Sequence, residues 1–187
     1  MSKEKMNRGW RRFVMRRSCF ILLAIALLVP ACSNGSRAPA EYRYEPVYGK
    51  AVILRNERQA IAPRSAPHVV HRAVNAGNHL QRKPYRYGGG HARVEDSGYD
   101  CSGTVSYVLI KAGLLGSPLP SKSFKKYGEP GPGKWITVWA KDDHSFVTIG
   151  GLRLDTGWVS NGDEHGPRWK TRNRPTSGYV RRHPRGM

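Results

Sequence analysis

The order of apolar and polar positions divides the chain into four regions. Residues 19–29, Cys-Phe-Ile-Leu-Leu-Ala-Ile-Ala-Leu-Leu-Val, form an unbroken apolar run. At 11 residues it is too short for a permanent bilayer span and matches the apolar segment of an export signal. Residues 33–64 carry no period, and Pro39, Pro46 and Pro63 interrupt them, so they read as a tether. Within it, Ala51-Val52-Ile53-Leu54 fits either a short strand or a segment packed on the domain. From Ser65 the apolar residues take helical spacing: Val69, Val70, Ala73, Val74 and Leu80, with Ser65 as N-cap and Pro67 in the first turn. A second helix opens at Cys101 and should bury Val105, Val108, Leu109 and Ala112. Lys111 stands in its last turn, and Gly113 is its left-handed stop.

Beyond Gly113 the pattern changes. Residues 116–133 are rich in Pro, Gly, Ser and Lys and read as a loop with at most one helical turn. Alternation then predicts strands over 134–140, 144–149 and 152–156, the last two joined by Gly150-Gly151. Further strands are expected at 168–170 and 179–182. Two helices followed by an antiparallel meander make an α+β domain over residues 65–187.

Charge and cysteines add a setting. Lys and Arg number 32 against 13 Asp and Glu, for a formal net charge of +19. Such an excess suits nucleic acid, an anionic membrane surface or an acidic wall polymer. Seven bases, Lys3, Lys5, Arg8, Arg11, Arg12, Arg16 and Arg17, precede the apolar run against the single acid Glu4. An exported chain that also lacks interleaved basic and aromatic residues is a poor nucleic-acid binder. Val29-Pro30-Ala31-Cys32 resembles the lipobox of bacterial lipoproteins, with Cys32 as the lipidated first residue of the mature chain. Cleavage without lipid is the simpler alternative. Ser33 after Cys32, by resemblance to Gram-negative sorting, directs the lipoprotein to the outer membrane, facing the periplasm. Loss of residues 1–31 would remove seven bases and one acid and leave 25 against 12, net +13. Cys101 would then stand as a lone thiol, with no disulfide possible inside the domain.

That thiol has the surroundings of a nucleophile. It follows Pro84-Tyr85-Arg86-Tyr87-Gly88-Gly89-Gly90 and Tyr99-Asp100, and it precedes Ser102-Gly103. At a helix start the backbone dipole favours thiolate, and the glycines are expected to leave room for a substrate. A buried apolar cysteine is the alternative, but its neighbours here are polar and open. A thiol nucleophile needs a base, and the base needs an orienting group. His144, at the start of a strand, is the candidate base. His68 and His71 share a helix with no carboxylate or cysteine near, so no metal site is expected there.

Tyr85-Arg86-Tyr87-Gly88-Gly89, Asp100-Cys101-Ser102-Gly103, Ala112-Gly113-Leu114, Leu119-Pro120 and the strand His144–Gly150 together resemble the NlpC-type bacterial cell-wall peptidases. The resemblance covers about residues 66–156. It implies a papain-like fold, with N-terminal helices packed on an antiparallel sheet, and cysteine endopeptidase activity on peptidoglycan stem peptides, often at the D-γ-glutamyl-diaminopimelate bond. Cys101 would be the nucleophile and His144 the base, with the Cys101 amide on the oxyanion. Tyr85, Asp100 and Ser102 would grip the free amino end of the stem. No cofactor is implied; the partners are stem peptides and, through Cys32, a membrane, and a monomer is expected. A catalytically inactive wall-binding lipoprotein of the same fold is the alternative. The family's third catalytic position aligns with Thr156. Asp155 is chemically better but one residue off, which on a strand reverses its face unless a bulge intervenes. His165, on a loop, is the third candidate. The Gly-Asp-Leu turn usual before the histidine is replaced by Trp135-Ile136-Thr137-Val138-Trp139.

Overall fold

The structure, a computed structural model, describes residues 51–56, 58–157, 165–171 and 174–187. The export signal over 1–31, Cys32 and the first part of the tether lie outside the described residues.

The stretch read as a tether becomes structure before it ends. Strands β1 (Ile53–Arg55) and β2 (Gln59–Ile61) pair antiparallel as a hairpin. Val52, Ala60, Ile61 and Ala62 are buried, and the Asn78 side chain clamps the Ala60 backbone by accepting from its N–H at 2.8 Å and donating to its carbonyl at 2.9 Å. The tether reading therefore does not hold over 52–62. Three-residue strands bounded by polar turns carry too few positions to show a period.

Helix α1 (His68–His79) follows, and its start differs from the expectation. Pro67 itself is the N-cap, and no side chain caps the end. Proline fits that position because it has no N–H to satisfy and its φ of −57° is already set. A 3-10 turn at Leu80–Arg82 ends the element. Helix α2 (Cys101–Ala112) packs against α1, and Val105, Val108, Leu109 and Ala112 are all buried as the spacing predicts. Gly113 closes it at φ 80°, and the Arg72 guanidinium caps the Ala112 carbonyl from α1 at 2.7 Å. One further helical turn, α3 (Ser121–Phe124), buries Phe124.

The six-stranded sheet comprises β3 (Glu129–Pro130), β4 (Ile136–Ala140), β5 (Ser145–Ile149), β6 (Leu152–Asp155), β7 (Arg168–Lys170) and β8 (Val180–His183). Its order is β3-β8-β4-β5-β6-β7, with every pair antiparallel. Alternation sorts the two faces. Ile136, Val138, Val147, Ile149, Leu152 and Leu154 join the core under α1 and α2. Trp139, Phe146, Thr148 and Arg153 point the other way. Trp139 stacks on Phe146 at 5.6 Å and donates its indole N–H to Thr148 at 3.1 Å. The fold is thus α+β, with helices on one face of an antiparallel sheet and α2 beginning at Cys101.

Gly103 serves packing, whereas Gly88 has open space beside it. Gly103, in the first turn of α2, lies so close to the Gly89 carbonyl oxygen that a Cβ would collide with it. Asp100 N–H donates to that same carbonyl at 3.3 Å. The glycine-rich segment and the helix start are therefore locked backbone to backbone. Gly103→Ala is expected to cost about 1–3 kcal/mol by overpacking, read as a lower melting temperature.

Candidate active site

Cys101 occupies the first position of α2. Amides in the first turn of a helix have no intrahelical acceptor and carry the positive end of its dipole. Asp100 is the N-cap, and its Oδ1 accepts from Gly103 N–H at 2.6 Å. The same oxygen accepts from the Ser102 hydroxyl at 3.1 Å and meets His91 Nε2 at 3.2 Å. Oδ2 accepts from Gly88 N–H at 3.0 Å. The carboxylate binds the glycine-rich segment to the helix start, and Oδ2, with one partner in the site, retains acceptor capacity on the open side.

The thiol sits between hydroxyls and an imidazole. Ser121 Oγ stands 3.5 Å from Cys101 Sγ and 3.1 Å from Ser145 Oγ, a short chain of hydroxyls beneath the sulfur. Burial pushes the thiol pKa up, but hydrogen bonds from His144, Ser121 and the Ser145 amide, with the charge of His144, outweigh it, so the net shift is downward. For His144 burial acts toward the neutral ring. Hydrogen bonding and charge from Asp155 and Cys101 win, and the pKa rises to about 9. The two opposite shifts both favour a thiolate beside an imidazolium.

Asp155 orients the ring. His144 Nε2–H donates to Asp155 Oδ1 at 2.8 Å, and the carboxylate is fully buried. Thr156 contributes only its backbone, donating N–H to Asp155 Oδ1 at 2.8 Å. His165 is exposed, and its carbonyl accepts from Gly157 N–H at 2.9 Å. Of the three candidates for the orienting position, Asp155 is the one whose side chain meets the imidazole. The expected obstacle, a reversed face, does not arise. Gly150-Gly151 pairs Ile149 with Leu152 and Val147 with Leu154, and one step further Phe146 lies opposite Asp155. His144, two residues before Phe146, shares that face. No bulge is needed. His144 precedes the first residue of β5, at the rim of the sheet, so its ring reaches Cys101 from the helix side and Asp155 from the other.

Arg174 was not singled out from the sequence. Its Nη1 donates to Asp155 Oδ2 at 2.7 Å and stands 2.8 Å from His144 Nε2. Its guanidinium also lies over the Phe146 and Tyr179 rings, at 5.4 and 5.5 Å. Two cations thus share one carboxylate, the ring on one oxygen and the guanidinium on the other. No local pattern around Arg174 marks it, because it arrives from a loop 19 residues after Asp155. Ser121 and Ser145 escaped notice for the same reason; they act only in three dimensions.

Of the residues expected at the free amino end of a substrate, Asp100 and Ser102 bond to each other. Tyr85 is half-exposed and bridges to Tyr99. Its phenol pKa is raised by burial, then by the nearby charges of Cys101 and Asp100. His91, read from the sequence as part of a polar loop, joins Asp100 and Ser102, with Nε2 3.1 Å from Ser102 Oγ. His68 and His71 lie 6.4 Å apart ring to ring, and no metal-competent cluster occurs among the described residues.

The raised pKa of His144 has a stability consequence. The protonated ring is favoured in the folded chain, so its contribution is complete below the ordinary histidine value near 6.5 and is lost as pH rises through about 9. Subtracting the stability of His144→Gln from that of the wild type, by denaturant titration at a series of pH values, should give a difference that shrinks over that window.

No protein-family model and no curated protein matches the chain. Solved structures do resemble it. One is a mutated form of the resuscitation promoting factor interacting protein RipA, at 22% identity over 67% of each chain and a TM-score of 0.48. A hypothetical invasion protein of Mycobacterium tuberculosis is 20% identical over 67% of each chain, with a TM-score of 0.47. An NlpC/P60 family protein from Bacillus cereus is 19% identical with a TM-score of 0.48; the match covers 62% of this chain and 40% of that one. At these values the likeness bears on neither activity nor substrate, which rest on the site's geometry.

Proposed function

We propose that the chain is a cysteine endopeptidase of the NlpC/P60 type that cleaves peptide stems of peptidoglycan, with the D-γ-glutamyl-diaminopimelate bond as the expected target. The observation that carries this reading is the alignment of Cys101, His144 and Asp155 at the start of α2. The Cys101 thiolate attacks the scissile carbonyl carbon, and the tetrahedral oxyanion turns toward the Cys101 N–H, which has no intrahelical acceptor. His144 gives its proton to the leaving amine as the C–N bond breaks, leaving a thioester. The neutral ring then takes a proton from water, the hydroxide displaces the thiolate, and the acid product leaves. Asp155 holds the ring throughout and stabilises its charge.

The free amino end of the stem would lie by Tyr85, Asp100 and Ser102. Asp100 Oδ2 is the better-placed acceptor for an ammonium, since Oδ1 already has three partners. The inactive reading drew its support from the missing orienting residue, and the contact of Asp155 with His144 removes that support. In the same proposal Cys32 is lipidated and holds the mature, basic domain in the cell envelope, at the outer membrane. Digestion of purified sacculi, with products weighed by mass spectrometry, tests the enzyme. Fragments ending in D-glutamate with a free γ-carboxyl are expected, and their absence would overturn the bond assignment. Labelling of the chain with a radioactive fatty acid, lost in Cys32→Ala, tests the anchor.

A further inference from the structure

The face of the sheet turned away from the helices holds a cavity of about 300 Å³, lined by Trp139, Phe146, Thr148, Arg153, Arg174 and Thr176. Arg153 is the unusual member. Its side chain is 5% exposed, and none of its three guanidinium nitrogens has a hydrogen-bond partner among the described residues. The carboxylate of Asp155 stands 3.8 Å from its Nε, too long for a hydrogen bond. That carboxylate is already shared by His144 and Arg174. Burial pulls the Arg153 guanidinium below the ordinary arginine range, and the neighbouring charge of Arg174 adds to this, against the opposing pull of Asp155. A buried cation with five unused N–H donors is costly, and an uncharged side chain would fill the same space at less expense.

The cavity into which Arg153 faces has the donors for an anion: the planar fork of Arg153, the guanidinium of Arg174 and the hydroxyls of Thr148 and Thr176. Trp139 and Phe146 supply apolar walls, which exclude water and strengthen a charge-assisted bond. A cation would be repelled there, and a neutral acceptor could bond the fork but would leave its buried charge unbalanced.

We propose that this cavity is a binding site for a small oxyanion of the carboxylate or phosphate class, held by Arg153 with Arg174 behind the His144–Asp155 pair. The anion accepts from the paired N–H groups of Arg153. It can arrive as a free ion or as a carboxylate carried on a peptide.

The test is a titration of the full chain with acetate and with inorganic phosphate at constant ionic strength, the balance made up with chloride. The Arg153 Nε–H resonance is followed by NMR, and acetamide serves as the neutral control. A saturable shift with at least one anion and none with acetamide is expected, together with a rise in melting temperature. In Arg153→Met both the saturable binding and the temperature rise should disappear, while the anion-free variant melts no lower than wild type. An Arg153 signal that stays still, or drifts without saturating, overturns the site; so does undiminished saturable binding in Arg153→Met. Should that variant fail to fold, the wild-type titration decides alone. A second arm separates the sources and rests on the peptidase reading, whereas the acetate titration does not. Stem peptides with free or amidated carboxylates are offered to Cys101→Ala loaded with acetate. Displacement by the free acid alone supports a carboxylate carried on the peptide, and acetate retained against both supports a free-ion site.

Discussion

Cys101→Ala is expected to fold normally and to release no peptide from purified peptidoglycan. Removal of a covalent nucleophile costs on the order of 10⁶ in kcat in comparable hydrolases, because nothing else in the site can form the acyl bond. The fold should not notice. Cys101 is partly exposed at the first helical position, and the N-cap contact that holds the helix start belongs to Asp100 and Gly103. A stability change within about 1 kcal/mol follows from so small a deletion at such a position. Circular dichroism and thermal melting check the fold, and release of soluble fragments checks the activity. A variant that digests sacculi like wild type would remove the thiol from the mechanism.

Asp155→Asn should be the second large effect, and it separates two roles. The amide is nearly isosteric but carries no charge to steady the imidazolium, so kcat is expected to fall on the order of 10³–10⁴. Since hydrogen bonding to Asp155 is the largest effect raising His144 to about 9, the variant's ring should lose its proton at lower pH. The alkaline limb of the kcat profile should move down accordingly. A merely structural role would lower stability and leave that limb in place. Stability should fall too, by about 3–5 kcal/mol, because Arg174 then loses the buried carboxylate it bonds and Arg153 the negative charge 3.8 Å from its Nε. Thr156→Ala, by contrast, keeps the backbone N–H that bonds Asp155 and should retain the wild-type pH profile.

The long periodic elements were legible. Helix α2 follows from Val105, Val108, Leu109 and Ala112 at helical spacing with Gly113 behind them, and β4 to β6 from alternation around a Gly-Gly turn. The hairpin over 53–61 was not, because six strand residues show no pattern until the Asn78 clamp and the core under them are seen. The Pro67 cap was misread because Ser65 is the better capper in isolation, while tertiary packing starts the helix later.

The orienting residue is the more instructive case. Comparison with the family pattern selected Thr156, and Asp155 looked misdirected. Counting outward from the two-residue Gly150-Gly151 turn would have settled it, since that turn sets Ile149 against Leu152 and so places Asp155 on the face of Phe146 and His144. The information lay in the turn length. For Arg174 no such count exists. Its place beside Asp155 depends on how the loop before β8 crosses the sheet, which only the tertiary structure supplies. Gly103 lets two backbones touch, while Gly88 borders open space.

The centre stands or falls on whether Cys101 is a thiolate held by His144 and steadied through Asp155. The most direct measurement is the rate of alkylation by iodoacetamide against pH, followed by intact mass on wild type and Asp155→Asn. Cys101 is the thiol to localise by peptide mapping. The account predicts that the wild-type rate persists well below the ordinary thiol pKa and that the titration moves up toward the ordinary value in Asp155→Asn. A single titration at the ordinary thiol pKa, the same in both proteins, would contradict it.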